Sequence, residues 1–143
     1  MTRTSSRRLL SCSSGASAIE CAIVAPIFLA LLFCIVVFGT YRAVVHGVQQ
    51  LAAEAARMSV AGLNDTERKN MAIGYVTANA GSYPLLAANH LTVNAAASGG
   101  DANVFVVTVN YDASGLFIYS LPHFVPTPPS TIVRSAAIPH GGY

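Results

Sequence analysis

One acidic side chain and the small residues before it are the part of this sequence best suited to chemistry. Glu20 follows a junction between Gly15 and Ala16 and directly precedes residues 21–41, which hold no charged side chain. Acids beside membrane-length apolar segments are costly and rare, so they are functional candidates by default. Glycine offers a protease an extended, unhindered backbone before the cut. We therefore expect proteolysis between Gly15 and Ala16, which releases residues 1–15.

Glu20 has two interpretations. Cleavage would create an α-ammonium group on Ala16, whose ordinary pKa is about 7.7–8.0. A carboxylate at apolar depth needs a partner, since an unpaired buried charge costs several kcal/mol. The new N-terminus of a neighbouring subunit would supply that partner, and Glu20 would set the charge registry between subunits. In the simpler alternative, Glu20 lies at the membrane interface and extends its side chain to water.

Small residues recur every four positions along the same segment. Such rows let helices approach closely in lipid, where packing drives association. An alanine-rich chain also produces such rows by chance, and the two explanations have equal weight. The positions expected to serve helix packing are Ala18, Ala22, Ala30, Gly39, Ala43 and Gly47. Pro26 lies in the first row and is expected to kink the helix, because proline removes one backbone hydrogen bond.

A membrane span is the element that must position these residues. Residues 21–41 would reach about 30 Å as a helix, which is the thickness of the hydrocarbon core. Of the 143 residues, 53% are hydrophobic and only 10% are charged, which is typical of a chain that is partly a membrane protein. Arg3, Arg7 and Arg8 precede the span and only Arg42 follows closely. This asymmetry predicts a cytoplasmic N-terminus and a C-terminus across the membrane.

The helix is expected to continue past the span as one rod from Ala16 to Gly62, where glycine supplies a stop signal. Glu54 and Arg57 are expected to form an i,i+3 ion pair on its polar face. The upper part of the rod carries an apolar stripe at helical spacing, made of Val44, Val48, Leu51, Ala55 and Met58.

Beyond the rod, the pattern predicts a small domain that packs against the helix. Asn64 and Glu67 have the spacing of a capping box and predict a second helix to about Asn79. Alternating apolar residues then predict a β-hairpin and a third strand. The expected strands cover 91–95, 105–111 and 131–138, with a turn at 99–101, an ambiguous stretch at 113–121 and an irregular loop at 122–129.

The predicted fold class is α+β: a long N-terminal helix, transmembrane and then amphipathic, followed by a small helix and an antiparallel sheet. The expected parts are a cytoplasmic leader at 1–15, the helix at 16–62 and a periplasmic domain at 63–143.

The sequence does not predict an enzyme, a cofactor, a metal site or a nucleic-acid partner. The histidines and cysteines lack the spacing of a ligand set or a catalytic group, and no nucleophile elbow is present. They are His46, His90, His123, His140, Cys12, Cys21 and Cys34. Removing residues 1–15 lowers the number of Lys and Arg residues from 8 to 5, against 6 acids. No basic patch for nucleic acid then remains.

Residues 15–26 resemble the processing site and helix start of Tad (Flp) pilus proteins, a branch of the type IV pilins. The sequence Ala18-Ile19-Glu20, followed by an apolar run with Pro26, is most similar to the TadE-like pseudopilins. The segment at 55–57 and the closing β-rich stretch also resemble that family. Cys21 departs from the commonest form, which has an aromatic residue after the glutamate.

The resemblance implies a minor pilin or pseudopilin, because the major pilin is usually little more than the helix. It implies cleavage after Gly15 by a prepilin peptidase, residence in the inner membrane and possible entry into an extracellular, adhesive pilus. The implied partners are that peptidase, other pilin and pseudopilin subunits, the inner-membrane pilus assembly machinery and the lipid bilayer. The alternative is an uncleaved single-pass anchor that carries a periplasmic adaptor or sensor domain.

Overall fold

A computed structural model describes residues 13–121 and 125–139. Most of the predicted leader therefore lies outside the described residues, as do Cys12, His123, His140 and the first part of the loop predicted at 122–129. The predicted fold class is confirmed. A long N-terminal helix leads into a second helix and then a three-stranded antiparallel sheet.

The first helix, α1, runs without interruption over Ser13–Ser59, through Pro26, and is about 70 Å long at 1.5 Å per residue. It ends three residues before Gly62. The chain leaves the helix through a tight turn, in which the Gly62 amide donates to the Ser59 carbonyl oxygen at 3.1 Å. Gly62 is buried against the next helix: an added Cβ would lie 2.7 Å from the Arg68 backbone nitrogen. This glycine therefore serves a close backbone approach rather than the helix end itself.

The second helix, α2, covers Asp65–Asn79 and begins at the predicted capping box. The Asn64 Oδ1 atom accepts from the Glu67 amide at 2.9 Å. Glu67 Oε2 accepts in return from the amide of Leu63 at 2.9 Å, one residue before the cap. Side chains therefore satisfy one free amide of the first helical turn and the amide just before the cap. A short 3₁₀ turn, Ala80–Ser82, follows the helix.

The sheet has the strand order β1-β2-β3 and is antiparallel throughout. The strands are β1 Leu91–Ala97, β2 Val104–Asp112 and β3 Thr131–Pro139. The predicted hairpin and third strand are confirmed, with Val93 opposite Val109 and Val109 opposite Arg134. The ambiguous stretch at 113–121 forms a turn and a 3₁₀ helix, Phe117–Ser120.

The core lies between one face of the sheet, α2 and the upper half of α1. Four residues of the predicted stripe are fully buried, but Met58 is 48% exposed and Ser59 is buried in its place. From Ala55 the buried face advances by four residues, so it reaches Ser59 and passes Met58. The buried α1 residues in this core are Val44, Val48, Leu51, Ala52, Ala55 and Ala56.

Candidate membrane and processing site

The predicted cleavage junction lies inside a helix. Gly15 and Ala16 belong to the first turns of α1, so the extended backbone expected there is absent from this structure. The residues that follow are mostly alanine and other apolar types, which favour helix once a span begins. An added Cβ on Gly15 would meet nothing within 4 Å. No packing within the described chain therefore requires glycine at this position.

Glu20 is exposed on α1 and makes no hydrogen bond or ion pair with any residue that the structure describes. Ala16 precedes Glu20 by about one helical turn, with about 6 Å of rise between the two residues. The described residues therefore supply no charged partner for Glu20.

The lower half of α1 exposes apolar side chains in every direction around its axis. This helix is long and apolar enough to cross a membrane, and only 6% of its most apolar 18-residue window is buried. The core helix of a soluble protein would be mostly buried, so the exposure distinguishes α1 from that class. The exposed large side chains include Ile19, Ile23, Val24, Ile27, Phe28, Leu29, Leu31, Leu32, Ile35 and Val36.

The predicted small-residue rows have different surroundings. Ala18, Ala22 and Pro26 are exposed, and Ala30 is half-buried. In the upper row Gly39 and Ala43 are exposed. Gly47 instead faces its own domain, where an added Cβ would lie 3.4 Å from Leu86 Cδ1 and 3.8 Å from Tyr83 Cδ1. An added Cβ on Gly47 would therefore only touch the domain at ordinary van der Waals distance, whereas Ala18, Ala22, Gly39 and Ala43 are exposed.

A polar cluster joins the upper half of α1 to the domain, and the sequence alone did not indicate it. The Tyr75 hydroxyl donates to Glu54 Oε2, the Tyr83 hydroxyl approaches the same oxygen at 3.4 Å, and Gln50 Nε2 donates to Glu54 Oε1 at 3.3 Å. We call Gln50, Glu54, Tyr75 and Tyr83 the Glu54 cluster. The hydrogen bond to Glu54 raises the pKa of Tyr75 to about 12.

The predicted ion pair between Glu54 and Arg57 is absent from the described residues. The two tyrosine hydroxyls occupy one oxygen of Glu54, and Gln50 occupies the other. Both tyrosines come from later parts of the chain, so local spacing could not reveal them. Hydrogen bonds from distant tyrosines have replaced the local ion pair. An exposed ion pair of that kind on a helix surface stabilises a protein by only about 0.3–0.5 kcal/mol.

An open cavity of about 300 Å³ lies between the end of β2 and the loop before β1, lined by Leu85, Leu86, Ala87, His90, Tyr111, Asp112, Gly115 and Leu116. The Tyr111 hydroxyl donates to the Leu85 carbonyl oxygen at 3.0 Å, and Leu85 has a positive φ of 71°. Hydrogen bonds from Ser114 lower the pKa of Asp112.

The described residues contain no group of three or more His, Cys, Asp or Glu side chains placed to hold a metal ion. Cys21 and Cys34 are both free cysteines.

Residues 15–57 match the TadE family, described as TadE-like protein. The match begins at Gly15, includes Glu20 and the whole predicted span, and ends near the end of α1. The predicted resemblance to TadE-like proteins is confirmed over this segment, and it indicates a role related to the Tad pilus. No curated protein and no solved structure matches the chain.

Proposed function

We propose that this protein is a minor pilin or pseudopilin of a Tad pilus, made as a precursor and cut between Gly15 and Ala16 by a prepilin peptidase. Residues 21–41 hold it in the inner membrane with the N-terminus in the cytoplasm and the α+β domain in the periplasm. The observation that carries the proposal is that the family match and the exposed apolar helix lie on the same residues. The family match, residues 15–57, covers nearly all of α1 and includes its lower half, where large apolar side chains are exposed.

The way α1 enters the domain argues against a secretory signal that is removed after the apolar run. A cut after residue 41 would separate the span from the upper half of the same helix. Val44, Val48 and Leu51 follow within ten residues and are fully buried in the core. The span and the domain are therefore one continuous structure, which suits a permanent anchor.

The processing step is supported by two residues that have no role inside the chain. Gly15 contacts nothing that would exclude a side chain, and Glu20 lacks a partner among the described residues. Cleavage would place an amine one helical turn before Glu20. An ion pair between that amine and Glu20 of a neighbouring subunit would fix the register of the two helices, because a buried charge is tolerated only with its partner.

The mechanism is structural, with no residue acting as a catalyst. The exposed small residues of the lower row would let α1 pack closely against the helices of other pilin subunits. The domain would then contact other subunits and the inner-membrane assembly machinery.

The test is the mass of the mature chain. The full-length protein is expressed in cells that carry the prepilin peptidase or an inactivated form of it. We expect loss of residues 1–15 only with the active peptidase. Gly15→Val should abolish cleavage, because a branched side chain hinders the backbone that the protease must reach. Gly39→Val is the matched control, since Gly39 also has open space around it, and it should be cleaved normally.

A second measurement concerns Glu20. We expect Glu20→Gln to be retained in the membrane and to fail in pilus assembly, because the neutral side chain cannot pair with an amine. An intact leader in cells with active peptidase, together with normal behaviour of Glu20→Gln, would instead support an uncleaved anchor for an adaptor or sensor domain.

A further inference from the structure

An apolar loop of the domain packs against the part of α1 that belongs to the predicted span. We call residues 116–121 the interfacial loop. Ile118 of this loop and Val37 of α1 are both fully buried, and they form a cluster with Val125. Cys34 and Tyr41 of α1 pack against the same cluster. The loop therefore contacts the helix below the first charged residue that follows the span.

The depth of this contact follows from helix geometry. Val37 lies four residues before Tyr41, which is about 6 Å along the axis. Cys34 packs against the same cluster, so only residues 21–33 remain free below the contact, and they are about 20 Å long as a helix. The hydrocarbon core is about 30 Å thick. A bilayer that begins at Glu20 therefore extends about 10 Å beyond the free part of the helix and reaches the loop.

The chemistry of the loop suits that depth. Phe117 is 52% exposed and Leu121 is half-buried, so both present apolar surface to the surroundings. No Asp, Glu, Lys or Arg lies between Asp112 and Arg134. Tyr119 is half-buried, and its hydroxyl donates to the Pro129 carbonyl oxygen at 2.9 Å. Half-buried tyrosine beside an apolar loop is typical of the membrane–water boundary.

A second exposed apolar side chain provides a contrast. Leu63 is 88% exposed, but it follows the far end of α1. Ser59, where that helix ends, lies about 27 Å beyond Tyr41 along the axis. Exposure alone therefore does not select the loop. The loop is selected because it is continuous with the exposed apolar surface of α1.

We propose that the interfacial loop inserts into the leaflet on the domain side of the membrane, with Phe117 among the lipid acyl chains next to the headgroups. This inference depends on the membrane anchoring stated under the proposed function but not on cleavage or on the pilus. A second attachment beside the helix would hold the domain at a fixed height and orientation on the bilayer, as aromatic anchors do.

The chain contains no tryptophan, so one introduced tryptophan reports a single position. Three full-length variants are reconstituted in phosphatidylcholine vesicles: Phe117→Trp in the loop, Phe28→Trp in the span and Leu63→Trp at the far end. All three positions are substantially exposed, with values of 52%, 57% and 88%. Their fluorescence is compared in vesicles with ordinary lipids and with lipids that carry bromine, a contact quencher, at shallow or deep acyl positions.

We expect Phe117→Trp to lose emission with the shallow bromine, Phe28→Trp to lose it with the deep bromine and Leu63→Trp to be unaffected by either. If Phe28→Trp is quenched while Phe117→Trp behaves like Leu63→Trp, the loop does not insert, and the inference fails while the anchor stands. If Phe28→Trp is not quenched, the membrane anchor itself is wrong. If Leu63→Trp is quenched as well, the whole domain lies on the bilayer and a specific role for the loop is overturned.

Discussion

The two halves of α1 are one helix with opposite surroundings. The lower half, residues 17–36, has apolar side chains exposed around its whole circumference, and the upper half, residues 37–59, buries one face in the core of the domain. The apolar residues alone do not explain this, because both halves are rich in Val, Leu and Ala. The difference lies in polar residues. The upper half carries Gln50, Glu54 and Arg57 opposite its apolar stripe, and the lower half has no such face.

The largest expected effect separates the two halves directly. Leu51→Ala should lower the free energy of unfolding of the domain by about 2–5 kcal/mol, because Leu51 is fully buried and its loss leaves a cavity. Leu31→Ala, at a position 55% exposed in the lower half, should leave that free energy unchanged. The measurement is the urea dependence of domain proteolysis in detergent micelles. Equal losses in both variants would mean that the lower half also belongs to the domain core.

A smaller loss of stability is expected for a substitution in the turn between α1 and α2. Gly62→Ala should destabilise the domain by about 1–3 kcal/mol, because the new methyl group would overlap the Arg68 backbone and force a shift. Gly74→Ala is the matched control. An added Cβ there meets nothing within 4 Å, and the change should stabilise the exposed helix by about 0.5–1 kcal/mol. The same urea assay measures both changes in the free energy of unfolding. A decrease for Gly62→Ala with an increase for Gly74→Ala would confirm the close approach at Gly62, and changes in the same direction would contradict it.

The capping box should contribute less to the free energy of unfolding. Asn64→Ala removes the acceptor for the Glu67 amide and should cost about 1 kcal/mol. Asn70→Ala, at an exposed position within α2, serves as the comparison and should be neutral or slightly stabilising, because alanine is the better helix former. A loss at Asn70 as large as that at Asn64 would indicate that α2 depends on contacts other than its cap.

The smallest effect concerns the polar face of the upper half. Glu54→Gln removes the carboxylate whose hydrogen bond with Tyr75 raises the pKa of that phenol to about 12, so the pKa should fall toward its ordinary value of 10.0. Because the folded state favours the neutral phenol, the contribution of Tyr75 to stability is present below pH 10 and is lost as the pH rises toward 12. Ultraviolet absorbance of tyrosinate during an alkaline titration reports the shift.

Glu67→Gln is the control for this titration, since Glu67 bonds to Leu63 and lies outside the Glu54 cluster. An unchanged alkaline titration in Glu54→Gln would show that Glu54 does not interact with Tyr75 in solution.

Local patterns in the sequence predicted much of this molecule correctly. The capping box at Asn64, the strand alternation around Val107 and the helical stripe through Leu51 all depend on neighbours a few residues away. Predictions that depended on distant neighbours were less successful. Local spacing allows Arg57 to pair with Glu54 and places Met58 on the apolar stripe. In the fold, Tyr75 and Tyr83 bond to the Glu54 carboxylate, and Ser59 is buried in place of Met58.

The sequence by itself determined the helix that is long and apolar enough to cross a membrane, the match to TadE-like proteins and the order of helices and strands, because each depends on spacing along the chain. Only the tertiary structure decided which face of α1 the domain covers, that Gly62 is small to admit the Arg68 backbone, and that Ile118 meets Val37. Those contacts join residues far apart in sequence, and no local period specifies which of two apolar surfaces will meet.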